Sequence, residues 1–412
     1  MKILIATPHR NIVGGAETYV QAIIPALLGR GHQVAMLFDY VPPAEANVTV
    51  DPSGAGLPIW FCADLKRQPQ LWKEIANWKA DVVYSQGITS EGVEQLLQDS
   101  YPTVLYCHAY WGACTTGSKC HSFPRIATCT REFGPMCLVL HYPRRCGGLN
   151  PVAAWNMYRI EQGRKSRLSE HRAVLVASRH MYSEYQRQGV SPDKLHLVRH
   201  PVTDQKSTAP PREKAIEGRL LFLGRLVAAK GADFLIRAVP IAETKLNRKL
   251  TLTIAGDGCE LASLQKLAAG MRVSAEFPGW VESAQKRELM SRADLLVLPS
   301  LWPEPFGLVG IEAGALSLPA AGFAVGGIPD WLIPGRTGEL APADPPTAEG
   351  LADAIARALG DPNHYADLCR NAFEFSQQFT LERHTAELER ILYASAGAWT
   401  APEANAVISN HV

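Results

Sequence analysis

The sequence predicts an α/β protein with two doubly wound parallel-sheet domains. Three observations support this fold class. The 412 residues exceed what one hydrophobic core usually serves. Short apolar segments alternate with amphipathic helical segments, and this alternation starts again after residues 202–218, a polar segment that contains prolines. Strands that are apolar throughout are typical of parallel sheets covered by helices on both faces.

The elements follow in order along the chain. In the first half the strand segments are "KILIAT", "QVAMLF", "DVVYSQ", "TVLYCH", "AVLVAS" and "KLHLVRH", with helices that include "AETYVQAIIPALLGR" and "EGVEQLLQD". In the second half the strands are "RLLFLG", "LTLTIAG", "AEFPG", "ADLLVLPS" and "PAAGFAV", and the helices are "ADFLIRAVPIAET", "ELASLQKLAA", "KRELMSRA" and "TAEGLADAIARALG". Ligands of such sheets bind beyond the carboxyl ends of the strands, so the loops after strands are the candidate site.

These elements predict domains at residues 1–205 and 216–380, with a helix and tail at 381–412 that pack back on the first domain. No run of 18 apolar residues is present, and the N-terminus "MKILIATPHR" reads as a buried strand rather than a signal peptide. We therefore expect a cytoplasmic protein. The net charge of +1 indicates no particular partner, and nucleic acid is not among those we expect.

Two loops carry chemistry that fits an anionic ligand. Gly14 and Gly15 precede a helix, where paired glycines let a ligand approach the backbone and the helix N-terminus favours anions. Arg225 and Lys230 bracket the loop after "RLLFLG", and such a cation pair suits a diphosphate. Taken alone, the first pattern also fits a tight turn and the second also fits solvated surface charge. A third loop, "GDG" at residues 256–258, reads locally as a turn.

The segment "SLWPEPFGLVGIEAGALSLP" carries two carboxylates. Prolines on both sides fix the chain around Glu304, and Glu312 lies about two turns into the following helix. An acid–base pair is one interpretation. A magnesium site is weaker because no further carboxylate lies nearby in the sequence. A third interpretation is that each carboxylate accepts hydrogen bonds from vicinal hydroxyls.

Five motifs make the chain recognisable as a series. "GGAE", "GR-x4-K", "GDG-x-E", "E-x7-E" and "GGIPD" occur in this order over roughly residues 1 to 395, and the E-x7-E element is the most specific. The chain resembles the family 4 retaining glycosyltransferases of the GT-B fold. That resemblance implies two Rossmann-like domains facing across a cleft. It also implies a nucleotide-diphosphate sugar donor held mainly by the second domain, with no metal required for catalysis.

The resemblance assigns roles to matching residues. Arg225 and Lys230 would hold the diphosphate, Glu304 would contact hydroxyls of the transferred sugar, and Glu312 would contact the ribose. The reaction implied is glycosyl transfer with retained configuration, in which the leaving phosphate accepts the acceptor's proton. The remaining donor-binding candidates on the family's motifs are Gly14, Gly15, Gly256, Phe306, Gly307 and Leu308.

His108 follows the strand segment "TVLYC" and matches the first-domain histidine of the family, which lies near the sugar. Without that resemblance, a histidine satisfied locally at a strand end is the simpler interpretation. Two departures from the family's pattern stand out. "RHPVTD" replaces an "NGVD"-like loop, and "EAGALSLP" replaces "EAMAxGxP".

A cysteine-rich insertion spans about residues 110–150. It contains no CxxC pair, so a zinc ribbon is not indicated. One interpretation is a structural zinc held by four cysteines, and the alternatives are disulfides, which conflict with a cytoplasmic location, or free thiols. The proposed zinc ligands are Cys120, Cys129, Cys137 and Cys146.

The stretch from residue 119 to residue 187 is basic, with 12 Lys and Arg against four Glu. This excess fits a solvated face. It also fits an acceptor side that meets anionic lipid headgroups or a lipid-linked glycan at the inner face of the membrane. Two other function classes remain open from sequence. One is a nucleotide-sugar 2-epimerase of the same fold, and the other is a non-catalytic protein that binds sugar nucleotides.

Overall fold

The computed structural model describes residues 1–10, 14–39, 56–68, 70–202 and 216–397. It divides into two compact units. The first consists of Met1–Lys119, Thr130–Thr203 and Leu381–Val412, and the second consists of Cys120–Cys129 and Asp204–Thr380. The predicted linker lies almost entirely outside the described residues, as does the tail after residue 397.

The strands are β1 (Lys2–Thr7), β2 (Gln33–Phe38), β3 (Ile59–Phe61), β4 (Val82–Ser85), β5 (Thr103–Cys107), β6 (Cys120–His121), β7 (Ala127–Thr128), β8 (Ala173–Val176), β9 (Leu195–Leu197), β10 (Arg219–Leu223), β11 (Thr251–Ala255), β12 (Ala275–Gly279), β13 (Leu295–Leu298), β14 (Ala320–Phe323) and β15 (Gly338–Ala341).

The helices are α1 (Gly15–Gly29), α2 (Cys62–Arg67), α3 (Gln70–Trp78), α4 (Glu91–Ser100), α5 (Met136–His141), α6 (Pro151–Arg167), α7 (Arg179–Arg187), α8 (Ala232–Leu246), α9 (Leu261–Gly270), α10 (Ser283–Arg292), α11 (Leu308–Gly314), α12 (Ala348–Gly360), α13 (Pro362–Ser376) and α14 (Leu381–Gly397).

The first unit is built on a parallel sheet with the strand order β3-β2-β1-β4-β5-β8-β9. Its central strand β1 is buried from Ile3 to Thr7 because both faces are covered, as its continuous apolar sequence predicts. The order reverses at β1, since β2 lies on one side of it and β4 on the other. Such a reversal opens a crevice at the carboxyl ends of the strands.

The second unit repeats this arrangement, and the predicted α/β fold class of two doubly wound units is confirmed. Its parallel sheet has the order β12-β11-β10-β13-β14-β15, with the reversal at β10. The edge strands β3 and β15 were not predicted, since both are short. The β6–β7 hairpin of the insertion, also unpredicted, groups with this second unit, whereas the sequence analysis placed the whole insertion in the first domain.

The last helix, α14, belongs to the first unit. Leu388, Ile391 and Leu392 are buried in the core that covers β1 and β4. At the surface, Glu389 accepts hydrogen bonds from Arg30 at 2.6 Å and from His32 at 2.9 Å. Helix α13, the element before it, stays in the second unit. No helix among the described residues is both long and apolar enough to cross a membrane.

Candidate functional site

In the second unit, the loop after β10 is held against the loop after β13. Gly231 adopts φ +66°, and a Cβ there would lie 2.0 Å from the carbonyl oxygen of Pro299, so only glycine fits this close approach. The backbone N–H of Leu301 donates to the carbonyl of Ala229 at 2.9 Å. These contacts bring Lys230 to the segment that carries Glu304.

Lys230 and Glu304 form an ion pair. The Lys230 Nζ lies 2.6 Å from Glu304 Oε1, and the Ser300 hydroxyl donates to the same oxygen at 2.6 Å. The ammonium also lies 5.1 Å from the centroid of the Trp302 ring, within cation–π range. One carboxylate oxygen is therefore already bound by two donors, while a carboxylate has lone pairs for further bonds.

The environment keeps Glu304 ionised. Burial acts to raise the pKa of its carboxyl group, but the charge of Lys230 and the hydrogen bonds from Lys230 and Ser300 outweigh burial, so that the pKa lies below its usual value. An ionised carboxylate is a hydrogen-bond acceptor, not an acid. This geometry favours the hydroxyl-binding interpretation of Glu304 over an acid–base pair.

The backbone of Glu304 rests on the "GGIPD" loop. Gly326 adopts φ +58°, and a Cβ there would lie 2.4 Å from the nitrogen and 2.5 Å from the oxygen of Glu304. The N–H of Gly327 donates to that oxygen at 2.7 Å. Sequence reasoning noted this motif without a role, and the structure shows that its glycines fix the position of Glu304.

Helix α11 begins at Leu308, shortly after Glu304. Gly307 is its N-cap with φ +87°. The indole N–H of Trp331 donates to the carbonyl of Phe306 at 2.7 Å, and the ring packs so closely on Gly310 that a Cβ there would lie 2.0 Å away. Trp331 thereby fixes Phe306, Gly307 and Leu308 at the start of the helix, where N–H groups have no intrahelical partner.

Glu312 lies within α11 and forms an ion pair with a different lysine, Lys286. Both oxygens of its carboxylate lie 2.9 Å from Lys286 Nζ, which projects from α10. The two carboxylates thus have separate cationic partners within one unit, as expected for two binding groups rather than for a coupled pair. Lys286 carried no sequence signal that pointed to this contact.

Arg225 is exposed on the loop after β10. Gly256 makes this loop possible because a Cβ at its φ of +145° would lie 1.9 Å from the carbonyl oxygen of Gly224. The N–H of Leu226 in turn donates to the carbonyl of Asp257 at 2.7 Å. The "GDG" turn therefore supports the arginine loop directly.

In the first unit, His108 follows β5 and Gln86 follows the adjacent strand β4. The His108 Nε2 lies 2.7 Å from Gln86 Oε1, an amide oxygen that only accepts, so this nitrogen carries the proton. Burial lowers the pKa of His108 to about 3, and the neighbouring His384 contributes in the same direction. The imidazole is neutral near pH 7, with an acceptor lone pair on Nδ1.

Two more histidines surround this group. The ring of His200 stacks on His108 with centroids 5.2 Å apart. His384 of α14 donates from Nδ1 to the carbonyl of Arg199 at 2.8 Å, and its Nε2 accepts from the Tyr19 hydroxyl at 2.7 Å. His200 is part of the "RHPVTD" departure noted in the sequence, and the structure places it directly against the predicted site histidine.

Gly14 caps helix α1. Its N–H donates to the Glu17 carboxylate at 2.8 Å, and the backbone is extended there. In "GGAE" the glutamate thus stabilises the first turn of its own helix. Residues 11–13 of this loop lie outside the described part of the chain.

The predicted zinc site requires a correction. The described residues, among them Cys120, Cys129, Cys137 and Cys146, contain no group of three or more Cys, His, Asp or Glu that could hold a metal. Cys120 and Cys129 belong to the second unit, whereas Cys137 and Cys146 belong to the first.

Both halves of the chain match family models. A model described as "Glycosyltransferase Family 4" matches residues 13–206, and one described as "Glycosyl transferases group 1" matches residues 204–375. Solved structures of similar fold include sucrose-phosphate synthase from Thermosynechococcus elongatus, with a TM-score of 0.68 and 21% identity over 97% of this chain and all of that one. Anabaena HepE, solved with UDP and glucose, has a TM-score of 0.66 and 17% identity over 96% of this chain and all of that one.

Curated relatives agree with these models. Glycogen synthase from Mycobacterium tuberculosis is 26% identical over 365 residues, which cover 85% of this chain and 84% of the relative. D-inositol 3-phosphate glycosyltransferase 2 from Catenulispora acidiphila is 32% identical over 185 residues, 42% of each chain. The fold and the relatives define a glycosyltransferase with the GT-B fold. Within that class, the chain belongs to glycosyltransferase family 4.

Proposed function

We propose that the protein is a retaining glycosyltransferase that moves a hexosyl or related sugar from a nucleotide-diphosphate donor to a glycan or lipid-linked acceptor, in the synthesis of a surface polysaccharide or glycolipid. The observation that carries the proposal is the Lys230–Glu304 pair on loops that also hold Arg225. The Glu304 carboxylate, which can accept hydrogen bonds from sugar hydroxyls, and the two cations Arg225 and Lys230 then lie at the sheet edge where such folds bind nucleotides. The solved relative HepE, with UDP and glucose bound, supports a donor of this class.

Arg225 and Lys230 hold the diphosphate in this proposal. Their charge offsets the charge that develops on the leaving phosphate, which is the part of the reaction with the largest electrostatic demand. Catalysis of this kind needs no metal ion, since the two side chains supply the positive charge. Gly256 and the N–H groups of residues 306–308 shape the same phosphate-binding region.

Glu304 binds hydroxyls of the transferred sugar, and Glu312 binds the ribose. Glu304 exchanges part of its contact with Lys230 for sugar hydroxyls when the donor's phosphates draw the lysine away. Glu312 makes the corresponding exchange with Lys286. In the first unit, His108 contributes a neutral imidazole to the reaction centre, and Gly14 and Gly15 contribute the loop that closes on the donor.

The chemical step has one bond exchange and one proton transfer. The bond from the anomeric carbon to the phosphate oxygen breaks, and the bond from that carbon to the acceptor oxygen forms on the same face. The acceptor's proton moves to the departing phosphate oxygen, so that configuration is retained and the nucleoside diphosphate leaves. No side chain is covalently modified.

A donor panel tests this proposal. Donors with different bases and sugars are screened by thermal shift, because a bound donor stabilises the folded protein by mass action. The donor that binds is then incubated with and without candidate acceptors, and release of nucleoside diphosphate and the anomeric configuration of the product are measured. Acceptor-dependent release with retained configuration supports the proposal. Conversion of the donor to an epimer without acceptor, or binding without turnover, contradicts it.

A further inference from the structure

Part of the positive charge of residues 119–187 is internal. Three cations of this stretch are buried in ion pairs with buried carboxylates, and two further pairs hold Lys165 and Arg187. The buried pairs are Lys119–Glu184 at 3.0 Å, Arg164–Glu161 at 2.6 Å and Arg167–Glu94 at 3.5 Å. These pairs neutralise several of the cations, three of them in the interior, so the basic composition overstates the positive surface.

Apolar side chains, by contrast, are exposed in this part of the chain. Among the described residues, nine large hydrophobic side chains are exposed, and six of them lie within twenty residues of sequence on α5, on the start of α6 and on the loop between them. We call this set the α5–α6 face. Its members, with their exposed fractions, are Met136 (50%), Val139 (65%), Tyr142 (41%), Leu149 (77%), Val152 (66%) and Trp155 (51%).

Both helices already bury a different side. On α6, Ala154 and Tyr158 are buried, and the Tyr158 ring packs on Phe133 with centroids 5.3 Å apart. Val152 and Trp155 are exposed on the same helix, with one face of the Trp155 ring stacked on Tyr158 at a centroid distance of 6.1 Å. The exposed apolar side chains therefore form an apolar surface on helices that also bury other residues, which is typical of a surface that contacts something else.

The charges around the α5–α6 face indicate what kind of partner it contacts. From residue 133 to residue 160 the chain contains no Asp or Glu, while Arg144, Arg145 and Arg159 lie on or beside the α5–α6 face. Tyr and Trp are the residues that favour the boundary between acyl chains and headgroups. Apolar side chains with arginines and without acids fit a bilayer that carries anionic headgroups.

We propose that the α5–α6 face docks the first unit on the surface of an anionic lipid bilayer. The side chains of the face enter the headgroup region, and the arginines bind lipid phosphates. This inference is carried by the surface alone. It extends the proposed function, with which it shares only the lipid-linked acceptor, by giving that acceptor a surface from which to reach the enzyme.

Vesicle co-sedimentation tests the proposal on the full chain, with phosphatidylcholine vesicles compared to vesicles containing about one third phosphatidylglycerol. We expect the native protein to bind the anionic vesicles. Val139→Asp combined with Trp155→Asp should weaken binding by about tenfold or more, because stable attachment needs both the apolar and the charged contribution. Arg144→Gln with Arg145→Gln should weaken binding to anionic vesicles and reduce its sensitivity to salt.

Tyr393→Asp is the matched control, since Tyr393 is an exposed aromatic residue of the same unit outside the face. It should bind vesicles like the native protein, and all variants should keep their melting temperature and donor-induced thermal shift. Native protein that ignores both vesicle types, or double variants that bind as well as the native chain, would overturn the proposal. The proposal would also be overturned if the variants of the α5–α6 face changed the oligomeric state measured by sedimentation velocity and left vesicle binding unchanged. Native protein that binds anionic vesicles but shows no transferase activity with any donor and acceptor tested would count against the proposed function instead.

Discussion

At the scale of single residues, the site rests on one short contact. Lys230 and Glu304 are 74 positions apart in the sequence, yet Nζ and Oε1 lie 2.6 Å apart. The pair sets the ionisation of Glu304 and positions the cation that the proposed mechanism needs. Each partner can be changed separately, and the two changes should affect different quantities.

Replacing Lys230 with alanine should lower kcat by about 10²- to 10³-fold, because the charge that offsets the leaving phosphate is lost. It should also raise the pKa of Glu304, since the buried carboxylate loses the cation that stabilises its ionised form. Steady-state kinetics with the donor found by thermal shift measure the first effect. Lys230→Arg keeps the charge and should retain more activity, and an alanine variant with native turnover would remove Lys230 from the site.

The two carboxylates should separate in kinetics. In the proposed mechanism Glu304→Gln removes a contact to hydroxyls of the transferred sugar and should lower kcat by about tenfold or more. Glu312→Gln would instead remove a contact to the ribose and should mainly raise the donor KM. Both are isosteric changes with one lysine partner each, so they serve as controls for one another. Equal effects of the two variants on kcat and KM would show that this division of roles is wrong.

Ser317 illustrates a local departure with a cost. It stands where the family has glycine, and it adopts φ +56°, a conformation that costs a non-glycine residue about 1–2 kcal/mol. Its hydroxyl is buried and has no hydrogen-bond partner among the described residues. Ser317→Gly should therefore raise the free energy of unfolding by about 0.5–1 kcal/mol after the entropy of the added glycine is subtracted. Urea denaturation measures the change, and destabilisation would contradict it.

At the scale of elements, glycines decide which loops meet. Gly231, Gly256 and Gly326 each occupy a position where a Cβ would lie 1.9–2.4 Å from a backbone atom of another loop. The approach at Gly314 is less close, because a Cβ there would lie 3.0 Å from the carbonyl oxygen of Ala372 on α13. The second departure noted in the sequence is therefore a packing adjustment behind Glu312.

Helix α14 links the C-terminal part of the chain to the first unit through a titratable group. Burial lowers the pKa of His384 to about 4, although its hydrogen bond to the carbonyl of Arg199 acts to raise it. In the unfolded chain the same histidine has a pKa near 6.5. Between about pH 4 and pH 6.5, His384 is therefore protonated in the unfolded state but neutral in the folded state.

The contribution of neutral His384 to the free energy of unfolding should therefore have its full value above about pH 6.5. It should fall as the pH decreases toward 4, by up to about 1.4 kcal/mol per pH unit. His384→Gln preserves a donor for Arg199 and an acceptor for Tyr19 without titrating in this range. Its urea midpoint should change less between about pH 7 and pH 5 than that of the native chain. An unchanged slope would show that His384 does not carry this dependence.

At the scale of the whole molecule, two units of the same architecture carry different chemistry. The second unit holds cations and carboxylates at the edge where its strand order reverses, and the first holds a neutral imidazole at the corresponding edge of its own sheet. The first unit also carries the α5–α6 face. A donor should therefore stabilise the second unit chiefly, and lipid should engage the first.

The binding of donor should appear in hydrogen exchange as protection that is strongest in the loops after β10, β13 and β14 and at the start of α11, because these segments contact one another around Lys230 and Glu304. Amide exchange measured with and without saturating nucleoside diphosphate checks this. Lys230→Ala is the control and should show weaker protection. Protection confined to the edge strands β3 or β12 would move the donor site elsewhere.

Much of the architecture was readable in advance. Continuous apolar strands and intervening amphipathic helices determined two parallel sheets, because burial on both faces leaves a periodic signature in the chain itself. The motif series also predicts Arg225, Lys230, Glu304 and Glu312 as binding groups, and this stays a prediction. What the series lacked was any account of how residues far apart in sequence come into contact.

The tertiary structure alone decided those contacts. Lys286 as the partner of Glu312, and Gln86 and His200 as neighbours of His108, depend on which loops and helices lie together within one unit. Short strands such as β15 carry too few residues for a periodic signal. The sequence by itself determined which side chains are available for chemistry, since side-chain type is local. Only folding determined their partners and their ionisation, since distance and burial are properties of the packed chain.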